Sequence, residues 1–288
     1  MRHILKAIAL LSFAGLIGGY GGRLHPLGDS LAVFRPGFAV VLLVAALWLR
    51  GPARPLMMAA ALLALLPILS QFRPGPEFTG RAFVYQKNLL FDNRESEALF
   101  ADITDYVPSV VTLQEVSPAN MYLVDLLGRD LPHRLICPAH RVGAVAILSE
   151  TALEATDCRE GTGYASARVN TPAGPVTVVV LHLYWPWPHG QPAQVDALIP
   201  ILESLPRPVI VGGDFNMVPW AETTRRIARA TGTRSVSPME ITFSLRGYPL
   251  TIDHILVPHD AQASQQRRRL LGSDHYGLAA RIGSLTAD

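Results

Sequence analysis

The chain has few charged residues, and the shortage is concentrated in its N-terminal part. Asp, Glu, Lys and Arg make up 17% of the 288 residues, whereas soluble domains carry about 25%. No charged residue occurs from Leu56 to Leu69, and Asp29 is the one acidic residue before residue 72. The chain is therefore expected to consist of two unlike parts that meet near residue 72.

Beyond residue 72 the chain lacks the excess of basic residues that binding to long nucleic acid requires. This part contains 19 basic and 22 acidic residues. A protein whose affinity comes mainly from contacts with the phosphate backbone is expected to be basic. Long duplex nucleic acid is therefore not the expected substrate. The one basic cluster, Arg267–Arg269, is interpreted as a solvated loop before a strand.

Three apolar segments occupy most of residues 1–72. Each is about as long as the 17 to 20 residues that a helix needs to cross a bilayer. They are Ile4–Tyr20, Leu31–Leu49 and Leu56–Phe72. Arg35 is expected to extend towards lipid headgroups, and Pro36 suits the first turn of a helix. A buried helical subdomain of a soluble protein is the alternative, but the segments are apolar on all faces, which favours three transmembrane helices.

Basic residues predict how these segments are oriented. Arg2 and Lys6 favour a cytoplasmic N-terminus, and Arg50 and Arg54 favour a cytoplasmic turn between the second and third segments. Three crossings then place everything after residue 72 outside the cytoplasm. The first segment also has the basic start and apolar core of a signal peptide, but the lack of a clear cleavage site favours an uncleaved helix.

The chain has only two cysteines, Cys137 and Cys158, and both lie in the part predicted to be external. In an oxidising compartment such a pair can form a disulfide, and closing the loop contributes about 3 kcal/mol in the chain-entropy model. Two buried thiols are the alternative. The predicted location slightly favours the disulfide.

A linker rich in Pro and Gly, Gln71–Glu77, precedes a region in which strand-like and helix-like stretches alternate. The predicted strands are Ala82–Asn88, Ser109–Leu113, Ala144–Leu148, Val176–Leu183, Val209–Val211, Thr251–Val257 and Leu278–Ile282. The predicted helices are Glu95–Tyr106, Met121–Gly128, Gln194–Leu205 and Ala221–Ala230. Such alternation predicts sheets covered by helices. We therefore expect a membrane region over residues 1–72 and an α/β domain over residues 77–288.

Polar side chains follow several of these predicted strands at the point where each strand ends. They are Asn88, Glu115, His182, Asp214, Asn216, Asp253, Asp274 and His275. Carboxylates and imidazoles beside apolar strands are costly unless they are paired or bound to a cation. Taken singly, each has a structural explanation, such as an Asx-turn or a helix cap. If they converge, they form a site for a hard cation with room for an acid and a base.

The order of the motifs carries more information than any one of them. In chain order they are Asn88, Leu113-Gln-Glu115, Gly143–Ser149, His182, Gly213-Asp-Phe-Asn216, Ile252-Asp-His254 and Ser273-Asp-His275. This set resembles the endonuclease/exonuclease/phosphatase superfamily, which includes deoxyribonucleases, sphingomyelinases and inositol polyphosphate phosphatases. The resemblance spans about residues 80–284. With the apolar segments ahead of it, the chain is similar to a bacterial membrane-attached branch of that superfamily.

The resemblance implies a four-layer α/β sandwich, in which two packed mixed sheets are flanked by helices and the site lies at one rim. It also implies Mg²⁺ or Mn²⁺ bound mainly by Glu115, with Asn88 nearby and Asp274 contributing. Many members carry an Asp where this chain has Leu90, so a second metal is not expected. Asp92, further along, is only a weak substitute.

The resemblance further implies catalytic roles. Asp214 orients or deprotonates the attacking water, and Asn216 hydrogen-bonds the phosphate or that water. His275, held by the Asp253 carboxylate, donates to a non-bridging phosphate oxygen. His182 protonates or stabilises the leaving oxygen.

We therefore predict a membrane-tethered, metal-dependent phosphoesterase that cleaves a phosphodiester or phosphomonoester. The expected location is a bacterial inner membrane, with the catalytic domain on the periplasmic side. The expected partners are the lipid bilayer and a phosphate ester, either a phospholipid headgroup or short nucleic acid, with no obligate protein partner. Trp185, Trp187 and Trp220 either line a substrate groove or pack in the core. The alternatives are a catalytically inactive binding module of the same fold and a structural membrane protein with a soluble cap.

Overall fold

The computed structural model describes residues 2–48, 50–75, 83–139, 142–283 and 285. Three predicted boundaries lie outside the described residues: the start of the catalytic domain at Glu77, the start of the first strand at Ala82 and the end of the second apolar segment at Leu49. Within the described residues, four helices come first, and strands and helices then alternate.

The helices and strands have the following bounds. The helices are α1 Arg2–Gly18, α2 Leu27–Val33, α3 Arg35–Ala46, α4 Ala53–Ser70, α5 Ser96–Thr104, α6 Met121–Leu127, α7 Gln191–Ser204 and α8 Glu222–Thr231. The strands are β1 Val84–Asn88, β2 Val110–Val116, β3 His133–Pro138, β4 Ala144–Ser149, β5 Leu153–Arg159, β6 Tyr164–Thr171, β7 Gly174–His182, β8 Val209–Asp214, β9 Thr233–Ser235, β10 Phe243–Leu245, β11 Tyr248–Leu250, β12 Asp253–Pro258, β13 Ala263–Arg267 and β14 Leu278–Ile282.

Two six-stranded mixed sheets form the centre of the α/β domain. The first has the strand order β13-β14-β1-β2-β4-β3, and the second has the order β5-β6-β7-β8-β12-β9. The sheets face each other across a core of aliphatic side chains, among them Val110 and Ile147 from the first sheet and Val178, Ile210 and Val257 from the second. A sheet must bury its apolar face against another layer, and here each sheet covers the other.

Helices cover the outer face of each sheet. Leu99 and Ile103 of α5 and Leu123 of α6 pack against the first sheet. Leu198 of α7 and Ile227 of α8 pack against the second. The predicted four-layer α/β sandwich of two mixed sheets flanked by helices is confirmed.

Two parallel strand pairs determine where the functional side chains lie. β1 pairs in parallel with β2, and β7 pairs in parallel with β8. The carboxyl ends of parallel neighbours meet at one edge of a sheet, so Asn88 lies opposite Gln114 and His182 lies opposite Asp214. β12 runs antiparallel to β8, which places Asp253 opposite Asp214 as well.

Of the predicted three transmembrane helices, the described residues contain one that is long and apolar enough, or two if the bent pair of α2 and α3 forms a single span. One described helix, α4, is long and apolar enough to cross a membrane, and 17% of it is buried. The second predicted segment is not one straight helix, because α2 and α3 meet at an angle of 63°. Pro36 lacks an N–H group and occupies the first turn of α3, so the chain starts a new helix there. α1 is a shorter apolar helix.

Arg35 is not placed as predicted. It is 2% exposed, its Nη2 atom donates to the Trp220 carbonyl oxygen at 2.9 Å, and its guanidinium stacks on the ring of Tyr20 at 4.2 Å. Because the start of α3 packs against the α/β domain, this guanidinium has protein partners and does not extend towards lipid headgroups.

Asp29 joins the N-terminal helices to the α/β domain. Its two carboxylate oxygens accept hydrogen bonds of 2.8 Å from the backbone N–H groups of Glu222 and Thr223. These two N–H groups begin α8 and have no partner within that helix, so Asp29 of α2 caps a helix of the other part of the chain. Ser30 also donates to the Trp187 carbonyl oxygen. The two predicted parts therefore pack together through polar contacts.

A disulfide joins Cys137 of β3 to Cys158 of β5. β3 is an edge strand of the first sheet, and β5 is an edge strand of the second. The bond therefore links the two sheets at one side of the sandwich. The structure favours the disulfide over two buried thiols.

Candidate active site

The ends of β1, β2, β7 and β8 bring polar side chains from both sheets to one rim of the sandwich. All eight predicted site residues lie at this rim: Asn88, Glu115, His182, Asp214, Asn216, Asp253, Asp274 and His275. Six of them line a cleft of about 770 Å³, whereas Asn88 and Asp253 are buried and are not part of its lining.

Glu115 reaches the cleft because strand β2 is irregular near its end. The pairing of β2 with β4 shifts between Leu113 and Val116, and Glu115 has a φ of 57°. A bulge of this kind redirects one side chain. Gly143, which precedes β4 and has a φ of 115°, allows its backbone to approach the backbone of β2 closely. A Cβ added at this position would lie only 2.6 Å from the Val116 carbonyl oxygen.

The Glu115 carboxylate is held by two donors. Its Oε1 atom accepts from Asn88 Nδ2 and its Oε2 atom accepts from the Phe91 N–H, both at 3.0 Å. Burial raises the pKa of Glu115, and these two hydrogen bonds oppose that shift. The carboxylate lies at the cleft wall with 13% of its side chain exposed, so a bound species can reach it.

Asp214 is buried at the centre of the site. Its Oδ2 atom accepts from Asn88 Nδ2 at 3.0 Å, and its Oδ1 atom accepts from the Asn216 N–H at 2.8 Å. Asn216 adopts a left-handed φ of 46° and donates its Nδ2 to the Leu183 carbonyl oxygen. Burial raises the pKa of Asp214 to about 7, although the positive charge of His275 acts against this rise. A carboxylate with such a pKa can exchange a proton near neutral pH.

His275 and Asp253 form a buried pair. His275 Nδ1 lies 2.8 Å from Asp253 Oδ2. Burial alone would lower the pKa of His275, but the charges of Asp253 and Asp214 outweigh it and raise that pKa to about 10. The ring is therefore protonated at neutral pH. Its Nε2 atom lies 3.8 Å from Asp214 Oδ2 on the cleft side.

His182 and Asp274 complete the polar wall of the cleft. His182 Nε2 lies 3.8 Å from Glu115 Oε1 and 3.7 Å from Asp214 Oδ2. The side chain of Asp274 is 51% exposed, and its Oδ1 atom lies 3.9 Å from His275 Nε2. Asp92, by contrast, is exposed at the surface.

Several supporting residues were not predicted from the sequence. Lys87 is fully buried and donates from Nζ to three carbonyl oxygens of one loop, those of Arg269, Leu270 and His275. Gln86 donates to Asp253 Oδ1 at 3.2 Å. The sequence does contain one indication of these roles: Gln86 and Lys87 are polar residues that follow apolar residues within a predicted strand.

Aromatic side chains form the other wall of the cleft. Tyr184, Trp185 and Phe243 line it, and the Phe243 ring lies 4.7 Å from the ring of His275. Trp187 and Trp220 have different surroundings. Trp187 contacts His25 edge to face at 5.6 Å, and Trp220 is buried and donates its indole N–H to the Ala32 carbonyl oxygen.

A family model described as the endonuclease/exonuclease/phosphatase family matches residues 85–275. The chain belongs to this family. The match extends from the first strand to His275, so it contains every residue of the site described above. Members of the endonuclease/exonuclease/phosphatase family are hydrolases that act on phosphoester bonds, and this chain is a hydrolase of that class.

Solved structures show the same fold at low sequence identity. An endonuclease/exonuclease/phosphatase family protein from Leptotrichia buccalis is 15% identical, with a TM-score of 0.56 over 69% of this chain and 98% of that one. Sphingomyelinase C from Streptomyces griseocarneus is 15% identical, with a TM-score of 0.52 over 72% of this chain and 100% of that one. A beta toxin variant from Staphylococcus aureus with bound magnesium ions is 13% identical, with a TM-score of 0.54 over 70% of this chain and 99% of that one. No curated protein sequence matches the chain.

The donor set at the rim of this endonuclease/exonuclease/phosphatase domain suits a hard cation. Glu115 and Asp214 both accept from the single amide group of Asn88. Two carboxylates so close together, mostly removed from water, are destabilised unless positive charge lies nearby. Carboxylate oxygens are the ligands that Mg²⁺ prefers. The residues present therefore fit a divalent ion.

A second combination of side chains also has the spacing of a metal site. Ligand atoms of Asp214, Asp253 and His275 all lie within 4.8 Å of one another. However, His275 Nδ1 is already hydrogen-bonded to Asp253, and a protonated imidazole cannot ligate a metal. The geometry therefore favours an acid–base role for this trio. Glu115 is the better anchor for an ion.

Proposed function

We propose that the chain is a metal-dependent phosphoesterase that is tethered to a membrane and hydrolyses a phosphodiester or phosphomonoester. One observation carries this proposal: Asp214 Oδ2 lies 3.0 Å from Asn88 Nδ2, 3.7 Å from His182 Nε2 and 3.8 Å from His275 Nε2. A base, proton donors and an anchor for a cation thus share one cleft, which phosphate-ester hydrolysis requires.

Asp214 is assigned the role of positioning or deprotonating the attacking water. Its pKa near 7 lets it accept a proton at neutral pH. The N–H of Asn216 holds the Oδ1 atom, so Oδ2 is the oxygen directed towards the two histidines. The Asn216 Nδ2 atom donates to the Leu183 carbonyl oxygen and, at 3.3 Å, to Asp214 Oδ2. Asn216 is assigned the role of hydrogen-bonding the phosphate or the water.

His275 is assigned the role of hydrogen-bond donor to a non-bridging phosphate oxygen. Asp253 holds its Nδ1 atom, which leaves Nε2–H directed into the cleft. A fixed donor aimed at developing negative charge stabilises a transition state. His182, on the same wall, is assigned the role of protonating or stabilising the leaving oxygen.

Mg²⁺ or Mn²⁺ is the proposed cofactor, held by Glu115 with Asp274 and Asn88 close by. When bound, the ion would neutralise negative charge on the phosphate oxygens. Asn88 Oδ1 accepts from the Leu90 N–H, and its Nδ2 faces the carboxylates. We infer that Asn88 fixes the orientation of Glu115 and Asp214 in addition to lying near the ion.

The membrane tether and the external location are also proposals. Large apolar side chains are exposed along α1, α3 and α4, among them Leu11, Leu63 and Leu69. Contiguous apolar surface of this extent is typical of a surface that meets a membrane or another protein. The disulfide supports an oxidising compartment, such as the periplasm, for the catalytic domain.

A substrate panel tests the proposal. The purified chain is assayed with phospholipids, single- and double-stranded DNA, RNA and inositol phosphates, each with Mg²⁺ or Mn²⁺. We expect hydrolysis of at least one phosphate ester, and a loss of about 10²-fold or more in Asp214→Asn. Binding of a substrate with no turnover under any condition would instead indicate the alternative, an inactive binding module of the same fold.

A further inference from the structure

A second cavity, named here the apolar groove, lies between the N-terminal helices and the catalytic domain. Its volume is about 450 Å³, and sites for small molecules measure about 300–1,000 Å³. One wall consists of residues from α2, α3 and α4 together with Phe72, and the other consists of Val218, Trp220, Ile241 and residues 248–251. None of the described side chains that line the groove is charged.

The chemistry of the lining favours a hydrocarbon chain over a peptide. Among the described residues of the lining, Tyr248 and Thr251 carry the only side-chain hydroxyl groups. The indole N–H of Trp220, the other polar side-chain group there, already donates to the Ala32 carbonyl oxygen. A peptide in this groove would leave backbone N–H and C=O groups without partners, which costs several kcal/mol or more in total. An acyl chain has no such groups and gains from the burial of its methylenes.

The groove opens onto the apolar outer surface of the helices. Val40, Val41 and Leu69 line the groove and are also 51%, 41% and 58% exposed. Leu66, one turn before Leu69 on α4, is 61% exposed as well. The opening of the groove is thus continuous with the surface of α4, the helix whose length and composition suit a bilayer. Acyl chains are the molecules that such a surface meets.

The groove is also adjacent to the catalytic cleft, because the same two segments help to form both. Asn216 and Phe243 line the cleft, whereas Val218 and Ile241 line the groove. Residues two positions apart along a chain lie at most about 7 Å from each other. One lipid molecule can therefore place its phosphate in the cleft and an acyl chain in the groove.

We propose that the apolar groove binds an acyl chain of the bilayer phospholipid whose phosphate ester is hydrolysed in the cleft. The proposal rests on the phosphoesterase function proposed above and names the substrate class. Hydrolysis breaks one P–O bond: water supplies the hydroxyl group that stays on phosphorus and the proton that the leaving oxygen takes. No other reactant is required.

Binding is tested first, because its outcome does not depend on turnover. The full chain is purified in a mild detergent, supplied with dipalmitoyl phosphatidylglycerol and examined by native mass spectrometry. Val40→Trp fills the groove from α3, and Leu65→Phe fills it from α4. Val44→Trp is the matched control, since Val44 is 55% exposed on α3 and does not line the groove. We expect a retained lipid in the wild type and the control, and about tenfold less in the groove variants, a change of about 1.4 kcal/mol.

Hydrolysis is tested next with two substrates. One is dipalmitoyl phosphatidylglycerol in vesicles, and the other is bis(4-nitrophenyl) phosphate, which has no acyl chain and also reports whether each variant is folded. We expect Val40→Trp and Leu65→Phe to lose lipid hydrolysis about tenfold or more relative to Val44→Trp and to keep hydrolysis of the soluble diester. Equal lipid binding in all four proteins would overturn the proposal. Lipid binding that follows this pattern without turnover of either substrate would overturn the phosphoesterase function and leave the acyl-chain site standing.

Discussion

His275 Nδ1 lies 2.8 Å from Asp253 Oδ2, and both side chains are buried beneath the cleft. Asp253 begins β12 and His275 lies in the loop before β14, so the pair joins the second sheet to a loop that leads back to the first. The negative charge of the Asp253 carboxylate and the positive charge of the His275 imidazolium balance each other, so neither charge is buried alone. The pair therefore fixes both the protonation state and the direction of the His275 ring.

Replacing Asp253 with Asn is expected to shift the pH dependence of turnover. The proposed role of His275 requires a protonated ring, and burial would lower the pKa of that ring if the charge of Asp253 did not raise it. The variant should therefore lose activity as the pH rises through a lower value than in the wild type, and its maximal rate should fall about 10²-fold or more. The measurement is kcat/KM from pH 6 to pH 10. Asp196→Asn, on the exposed face of α7, is the control, and an unchanged alkaline limb in Asp253→Asn would refute this role.

Replacing Lys87 with Met is expected to lower kcat more than it raises KM. The ammonium group satisfies three carbonyl oxygens of the loop that carries His275. Each buried carbonyl left without a donor costs about 1–3 kcal/mol, so the loop should lose its fixed position. Lys87→Arg keeps the charge and the donors and should recover part of the rate. If Lys87→Met lowers the melting temperature and leaves kcat unchanged, Lys87 stabilises the fold and does not position His275.

Replacing Asp29 with Ala is expected to loosen α8. The first two N–H groups of that helix lose their acceptors, and loss of an N-terminal cap costs about 0.5–2 kcal/mol. Hydrogen exchange at the amides of Glu222 and Thr223 measures this effect directly, and exchange should become faster. Asp29→Asn keeps one acceptor oxygen and should show an intermediate rate. Exchange rates equal to those of the wild type would show that α2 does not cap α8 in solution.

Removing the disulfide is expected to lower stability without abolishing the fold. The double variant Cys137→Ser/Cys158→Ser should lose about 3 kcal/mol, because the loop between the two residues is no longer closed in the unfolded state. Denaturant unfolding of the wild type, with and without a reducing agent, gives the comparison. A reducing agent that does not change the wild-type transition midpoint would mean that the two thiols are not joined.

The layered fold was predictable because its central strands are long apolar runs. All residues of β8 and nearly all of β7 are buried, as expected of strands covered on both faces. Seven strands were not predicted: β3, β5, β6, β9, β10, β11 and β13. In the edge strand β5, for example, every residue is at least partly exposed, and the polar side chains resemble those of a loop. Edge strands of this kind are defined by their hydrogen-bonded neighbour, which the local sequence does not identify.

The site was predictable as a set because its members follow strand ends, and parallel strands bring those ends together. Its supporting residues were not. Lys87 acquires its role from carbonyl oxygens that lie 182 to 188 residues further along the chain. Arg35 likewise finds its partner at Trp220, 185 residues away. Such contacts depend on how the layers of the fold pack against one another, so they cannot be predicted from the spacing of residues in the sequence.

The dependence of turnover on Mg²⁺ tests the central claim most directly. Hydrolysis of bis(4-nitrophenyl) phosphate is measured over a range of Mg²⁺ concentrations for the wild type and for Glu115→Gln, after removal of bound metal with EDTA. We predict no turnover without metal, recovery on addition of Mg²⁺, and a requirement for Mg²⁺ that rises about tenfold or more in Glu115→Gln. Turnover that survives EDTA, or an identical Mg²⁺ requirement in the two proteins, would contradict the account.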